Sequence, residues 1–232
     1  MCGTCGCGDP EIVAVDVHER ILADNDRTAQ HNRAHFAASG VLAVNLMGSP
    51  GSGKTALLEA LASRLGPERL GAIAGDLETE RDAERLRAAG VPAAAITTGS
   101  ACHLDAAMVH RALHDFPWRA LDYLVIENVG NLVCPAIYDL GQTVNVVALS
   151  VTEGEDKPLK YPVMFRRADL VLLTKVDLLP HLDLDLRALE DGLARVNPRP
   201  RLLRVSAHTG EGVSAFSDWL RALPQRQRPS TQ

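Results

Sequence analysis

The sequence predicts an α/β fold in which a mainly parallel sheet is flanked by helices on both faces. Three observations carry this reading. Seven short apolar runs recur along the chain, helix-length amphipathic segments separate most of them, and a glycine-rich octapeptide joins the first run to the first of those helices. Near-continuous apolar strands are buried on both faces, and parallel strands need helical crossovers, so the first two patterns support each other.

A chain of 232 residues can bury a sizeable core, and its 46% hydrophobic and 23% charged content is that of an ordinary globular protein. The net charge is −5 with no long basic run, so no nucleic-acid partner is expected. No apolar stretch is long enough to span a membrane, and the N-terminus lacks the basic-then-apolar pattern of a secretory signal. Five cysteines, an odd number with no sign of export, point to reduced thiols and a cytoplasmic location.

In chain order, residues 1–9 read as a flexible, Cys-rich metal-binding tail and residues 10–40 as a helical extension of one or two helices packed loosely on the main domain. Residues 41–225 form the α/β domain, and residues 226–232 are a polar, disordered tail. The expected strands are VLAVNLM, GAIAG, AAAITT, YLVIEN, VNVVALS, DLVLLTK and RLLRVS. Helices are expected over TALLEALASRLG, TERDAERLRAAG and LDLDLRALEDGLARV.

The octapeptide is GSPGSGKT, Gly48 to Thr55, set between a strand and a helix as a Walker A loop requires. The chain therefore reads as a P-loop NTPase. Glycines 48, 51 and 53 let successive N–H groups face phosphates, and the helix N-terminus adds partial positive charge. Lys54 is expected to reach the β- and γ-phosphates and Thr55 to ligate Mg²⁺; Ser49, Ser52 and Ala56 complete this nucleotide-binding set.

TKVD, residues 174–177, resembles the guanine-reading NKxD motif, with Thr174 in the Asn position. Asp177 can accept from the ring N–H and the exocyclic amine of guanine, which adenine cannot offer, while the Lys175 stem lies over the base. One strand later, Ser206-Ala207 resembles the second base-contacting loop, and residues 41–225 become a GTPase domain binding GTP and GDP. Glu127 and Gly130 have the spacing of a DxxG γ-phosphate sensor, with Glu127 placed to hold Mg²⁺ through water. Asp76 carries two readings of equal weight, an Mg²⁺ or water contact and a helix N-cap near Thr79. Lys54, Asp76 and Glu127 are the expected catalytic residues, whereas Asp82 and Glu84 read as a solvated helix face.

Cys102 and His103 follow the third strand at the start of a helix, and Cys134 lies seven residues after Glu127. Two thiolates and an imidazole suit Ni²⁺ or Zn²⁺. The fourth ligand is water, another side chain, or the same set from a second subunit. At the N-terminus, MCGTCGCG lies outside any thioredoxin-like unit, and no fourth close ligand marks a structural zinc site. Cys2, Cys5 and Cys7 on a Gly-rich segment, with the terminal amine as a further donor, suit square-planar Ni²⁺.

Taken together, MCGTCGCG, GSPGSGKT, GDLETERDAERL, TGSACHLDA, ENVGNLVCPA, TEGEDKPLKYP and TKVD resemble the hydrogenase maturation nickel-insertion GTPases, the HypB family, from Cys2 to about Trp219. The resemblance implies the signal-recognition/MinD-like GTPase class and a homodimer in the GTP-bound state. It also implies a weaker nickel or zinc site at Cys102, His103 and Cys134 near the dimer interface. Delivery of nickel to a hydrogenase large-subunit precursor, with accessory metallochaperones as partners, follows from the same resemblance. A metal buffer with vestigial GTPase and a GTPase metallochaperone for another nickel enzyme are the alternatives. His18, His31, His35, His110, His114, His181 and His208 read as ordinary surface or packing histidines.

Overall fold

All seven expected apolar runs are strands. In this computed structural model, which describes residues 10–198 and 201–224 and side chains from Arg20 onward, they are β1 (Leu42–Gly48), β2 (Leu70–Asp76), β3 (Ala93–Thr97), β4 (Tyr123–Glu127), β5 (Val144–Ser150), β6 (Leu170–Thr174) and β7 (Leu202–Arg204). They form one sheet in the order β3-β2-β4-β1-β5-β6-β7, with every neighbouring pair parallel.

The helices are α1 (Pro10–Ser39), α2 (Lys54–Leu65), α3 (Arg81–Ala88), α4 (Ala106–Ala112), α5 (Lys157–Lys160), α6 (Pro162–Arg166), α7 (Leu186–Val196) and α8 (Val213–Ala222). Alternate residues of each central strand feed opposite cores. Leu42, Val44 and Leu46 of β1 pack with α2, α3 and α8, while Ala43 joins the core under α1 and α4 and Met47 the core under α6 and α7. Both faces of the sheet are therefore dry, which is why the strands read as continuous apolar runs. Because all strands are parallel, their C-terminal ends and following loops gather along one edge, where ligands of such folds bind.

The N-terminal extension differs from the expected loose packing. It is one helix, and from Asn25 to Phe36 it docks firmly against α4 and the loop before β5. Asn25 donates to Asp139 O and accepts from Ala106 N, both at 2.9 Å. Asn32 is fully buried and donates to Ala106 O and Leu140 O at 2.9 and 3.2 Å. A docking face built on asparagine amides gives little hydrophobic periodicity, which is why the sequence predicts only loose packing. The cysteines at 2, 5 and 7 and the tail 226–232 lie outside the described residues. Among the described residues, no helix is long and apolar enough to cross a membrane.

Gly141 shows how close this docking is. Its φ is +88°, and a Cβ there would lie 2.5 Å from Ala29 O and 2.7 Å from Asn32 Cβ. Gly141→Ala should therefore lower unfolding free energy by roughly 2–4 kcal/mol through overpacking and left-handed strain. Urea denaturation measures this directly, and an unchanged midpoint would mean that α1 is only loosely held.

Candidate nucleotide and metal site

The loop after β1 is held in a curled form from several sides. Gly48, at φ +153°, passes so close to β5 that a Cβ would sit 2.4 Å from Ala148 O. Gly51 and Gly53 have φ of +73° and +88°, the left-handed conformations that turn the chain into α2. Lys54 is buried and its Nζ donates to Gly48 O and Ser49 O at 3.3 and 3.0 Å. Burial holds the Lys54 ammonium below the ordinary lysine range, against the pull of Glu127, Asp82, Glu153 and Asp76. Ser49 and Ser52 serve the loop itself: Ser49 donates to Glu153, which also accepts from Ser150 N at 2.9 Å, and Ser52 is fully buried.

A cleft of about 460 Å³ opens over the loop, lined by Gly51, Gly53, Lys54, Thr55 and Ala56 together with Asp76, Asp82, Glu127, Gly130 and Lys175. Thr55 Oγ1 lies 2.8 Å from Glu127 Oε1 and 2.9 Å from Asp82 Oδ1. Asp82 is thus part of the site, contrary to its reading as solvated helix surface; Glu84, two residues on, is exposed as expected. Asp76 Oδ1 accepts from Glu78 N and Thr79 N at 3.0 and 3.1 Å, closing a turn before α3. It is not the helix N-cap, a position held by Glu80. Burial raises Glu127 to about 7, with Lys54 and Thr55 opposing. Its Oε2 is buried with no hydrogen-bond partner. An orphaned carboxylate oxygen beside Thr55, Asp76 and Asp82 is an all-oxygen donor set that fits a hard divalent cation such as Mg²⁺.

A second cavity of about 220 Å³ shares Gly53, Ala56 and Lys175 with the cleft and continues it toward Leu57, Asp177, Val205, Ala207 and His208. Thr174, in the Asn position of the base-reading motif, donates from Oγ1 to Ser52 O at 2.6 Å. Lys175 has φ +59°, and its Nζ donates to Gly51 O at 2.6 Å, so its stem crosses between the two cavities. Ser206 Oγ donates to Asp177 Oδ1 at 2.6 Å, fixing that carboxylate at the cavity wall. His208, read as an ordinary histidine, lines this cavity as well.

Cys102, His103 and Cys134 come together, with donor atoms all within 4.8 Å of one another, the only such group of three among the described residues. The two sulfurs are 3.1 Å apart and His103 Nδ1 is 3.9 Å from Cys102 Sγ. Cys102 and His103 lie in the loop before α4, whose N-cap is Asp105, rather than at the helix start. The thiol of Cys102 beside it, with burial, raises Cys134, and burial lowers His103, which stacks on Tyr138 at 3.9 Å. This group is tied to the nucleotide cleft. Asn128, next to Glu127, accepts from Leu104 N at 3.1 Å and donates to Asn45 Oδ1 at 3.1 Å. Asn131 forms an isolated antiparallel bridge with Gly48, and a Cβ on Gly130 would lie 2.8 Å from Pro50 N.

The family model for the nucleotide-binding domain of CobW, HypB and UreG matches residues 42–204. The chain is 53% identical to the hydrogenase maturation factor HypB of Azotobacter chroococcum over 92% of its own length and 69% of that protein's. It superposes on the crystal structure of HypB from Helicobacter pylori in complex with nickel with a TM-score of 0.81 at 40% identity, covering 85% of this chain and 94% of that one. For HypB from Archaeoglobus fulgidus the TM-score is 0.80 at 43% identity, with 87% and 99% covered.

The buried carboxyl has a consequence for stability. Folded Glu127 keeps its proton up to about pH 7, whereas an unfolded glutamate loses it near 4.5, so the folded state binds more protons between these values. Stability without nucleotide or Mg²⁺ should therefore fall as pH rises through that window, by on the order of 3 kcal/mol. Glu127→Gln, neutral throughout, should flatten the decline in urea denaturation between about pH 5 and about pH 8. An equal slope in the variant would assign the decline to another group.

Proposed function

The chain belongs to the CobW/HypB/UreG nucleotide-binding family and, within it, to the HypB hydrogenase maturation factors, and from this we propose that it hydrolyses GTP and carries Ni²⁺ to a hydrogenase large-subunit precursor in the cytoplasm. The observation that carries the reading is the Cys102–His103–Cys134 group on loops hydrogen-bonded to the γ-phosphate side of the nucleotide cleft. The nickel complex of the Helicobacter pylori relative supports the cargo.

In this reading the Gly48–Thr55 backbone and the α2 N-terminus cradle the phosphates, and Lys54 turns from its two carbonyl partners to the β- and γ-oxygens. Thr55, Asp76, Asp82 and Glu127 would hold Mg²⁺, which supplies neutralisation of phosphate charge. Asp76 and Glu127 orient the attacking water, and Gly130 N–H meets the γ-phosphate. Asp177 reads guanine through two hydrogen bonds while Ala207 N–H meets its carbonyl. Cys102, His103 and Cys134 hold Ni²⁺, and the same donors suit Zn²⁺. A second copy, paired with this one in the GTP-bound state, completes the coordination shell. Cys2, Cys5 and Cys7 form the separate tail site, and accessory metallochaperones take part in delivery.

A hundredfold change in nickel affinity between nucleotide states amounts to about 2.7 kcal/mol, within ordinary coupling between sites. We expect Ni²⁺ affinity at the Cys134 site to differ between GDP and a non-hydrolysable GTP analogue in a chain lacking residues 2–7. Cys134→Ala should abolish the difference; equal affinities in the parent chain would remove the coupling. Asp177→Asn should weaken GTP binding about a hundredfold by replacing a charged acceptor, read by nucleotide titration. Unchanged affinity for GTP over ATP would place base recognition elsewhere.

A further inference from the structure

Four histidines with no part in the nucleotide or cysteine sites meet where α1 crosses α4. They come as two pairs with the same spacing, His31 and His35 in HNRAH and His110 and His114 in HRALH. His31 and His35 are four apart on α1 and share one helical face, while His110 lies on α4 and His114 in the turn that follows it. Docking of α1 on α4 brings that face against His110 and the end of α4. His31 and His35 have ring centroids 4.4 Å apart, His110 lies 5.1 Å from His31 and 6.1 Å from His35, and His114 lies 5.2 Å from His110. His31 and His114 are exposed and the other two half-buried, so the cluster is open to solvent ions.

The cluster has a supporting group that fixes one ring. Asn32 spends its amide N–H groups on the carbonyls of Ala106 and Leu140, which orients its Oδ1 as an acceptor. That oxygen lies 3.0 Å from His110 Nδ1. Nδ1 must then carry the hydrogen, leaving a lone pair on Nε2. A buried polar group that sets the tautomer of an imidazole is the usual partner of a metal-ligating histidine. The Nε2 atoms of His31 and His35 are 2.5 Å apart, so at least one of them also lacks a hydrogen. Two imidazoles on one ion sit roughly 2.9–3.4 Å apart at ordinary metal–nitrogen distances, so this pair needs only a small opening. Apart from burial, the groups acting on His35 and His110 are other imidazoles and Arg119, with no carboxylate among them. Burial and the neighbouring cationic groups disfavour protonated His35 and His110, whereas a shared cation uses their lone pairs.

We propose that His31, His35 and His110, with His114 at the rim, form an all-imidazole site for a divalent first-row cation of the Ni²⁺ or Zn²⁺ type. It is distinct from the cysteine site and independent of the GTPase reading. Closing it requires the exposed rings to turn about their side-chain bonds, since the four nitrogens do not yet converge on one point. A cation there would bridge α1 to α4 and stiffen their docking.

The test uses the full chain without a histidine tag, with Cys2, Cys5, Cys7, Cys102 and Cys134 all replaced by Ser. Calorimetric titration with Zn²⁺ and with Ni²⁺ should give one bound equivalent, without thiolate charge-transfer absorption. Adding His31→Gln and His35→Gln should remove that equivalent while circular dichroism stays unchanged. No saturable binding in the cysteine-free chain, or binding indifferent to the histidine substitutions, overturns the proposal. Should the cysteine-free chain fail to fold, imidazole-nitrogen NMR of the wild type decides. Saturating Zn²⁺ must then shift the rings of His31, His35 and His110, and unmoved rings overturn the proposal.

Discussion

Lys54 and Glu127 are both buried in the wall of one cleft, and most of the site is an answer to that arrangement. Charges in a protein interior are tolerated only with partners. Lys54 finds Gly48 O and Ser49 O because the loop curls back over it, and that curl needs glycines where a Cβ would strike Ala148 O. Glu127 finds the Thr55 hydroxyl because β1 and β4 are adjacent and in register, Leu46 opposite Glu127. The sheet order, the loop and the start of α2 are thus parts of one electrostatic solution. Two side-chain oxygens there remain unsatisfied, Ser52 Oγ in the loop and Glu127 Oε2, whose residue lines the cleft with Asp76, Asp82 and Thr55.

The Cys102–His103–Cys134 group shares supports with that centre. Asn128 connects three segments at once: β1 through Asn45, the loop carrying Cys102 and His103 through Leu104 N, and its own chain through Val129 N. Asn131 pairs with Gly48, the first residue of the phosphate loop. A displacement of residues 128–134 would strain the bonds that Asn128 makes to Leu104 N and Asn131 to Gly48, and would carry Cys134 with it. Any coupling between them would be short-range and need no long pathway, because Gly130 and Cys134 occupy the same loop.

Much of this was legible in the sequence, and the reasons are local. Strands buried on both faces announce themselves by apolar runs, and GSPGSGKT is contiguous, so the sheet and the phosphate loop could be read directly. Asp82, Glu153 and His208 could not, since each reaches the site across a tertiary contact that spacing does not encode. The motif places Thr174 in the Asn position, and only the structure shows its hydroxyl bonded to Ser52 O. The docking face of α1 was missed because Asn25 and Asn32 do by hydrogen bonding what leucines do elsewhere by burial. The two H-x-x-x-H pairs were visible but uninterpretable, because only the packing of α1 on α4 sets one against the other.

The ties from Thr174 and Lys175 to the carbonyls of Ser52 and Gly51 have a thermodynamic meaning beyond geometry. A free glycine-rich loop carries much conformational entropy, and ordering it around a ligand subtracts from affinity. Here strand β6 clamps the loop from one side, Glu153 from a second and Asn131 from a third. The disorder has been removed at the folding stage, where the whole core shares the cost. The phosphates therefore meet a surface that is already shaped, and the free energy of their contacts is left for recognition rather than for ordering the loop.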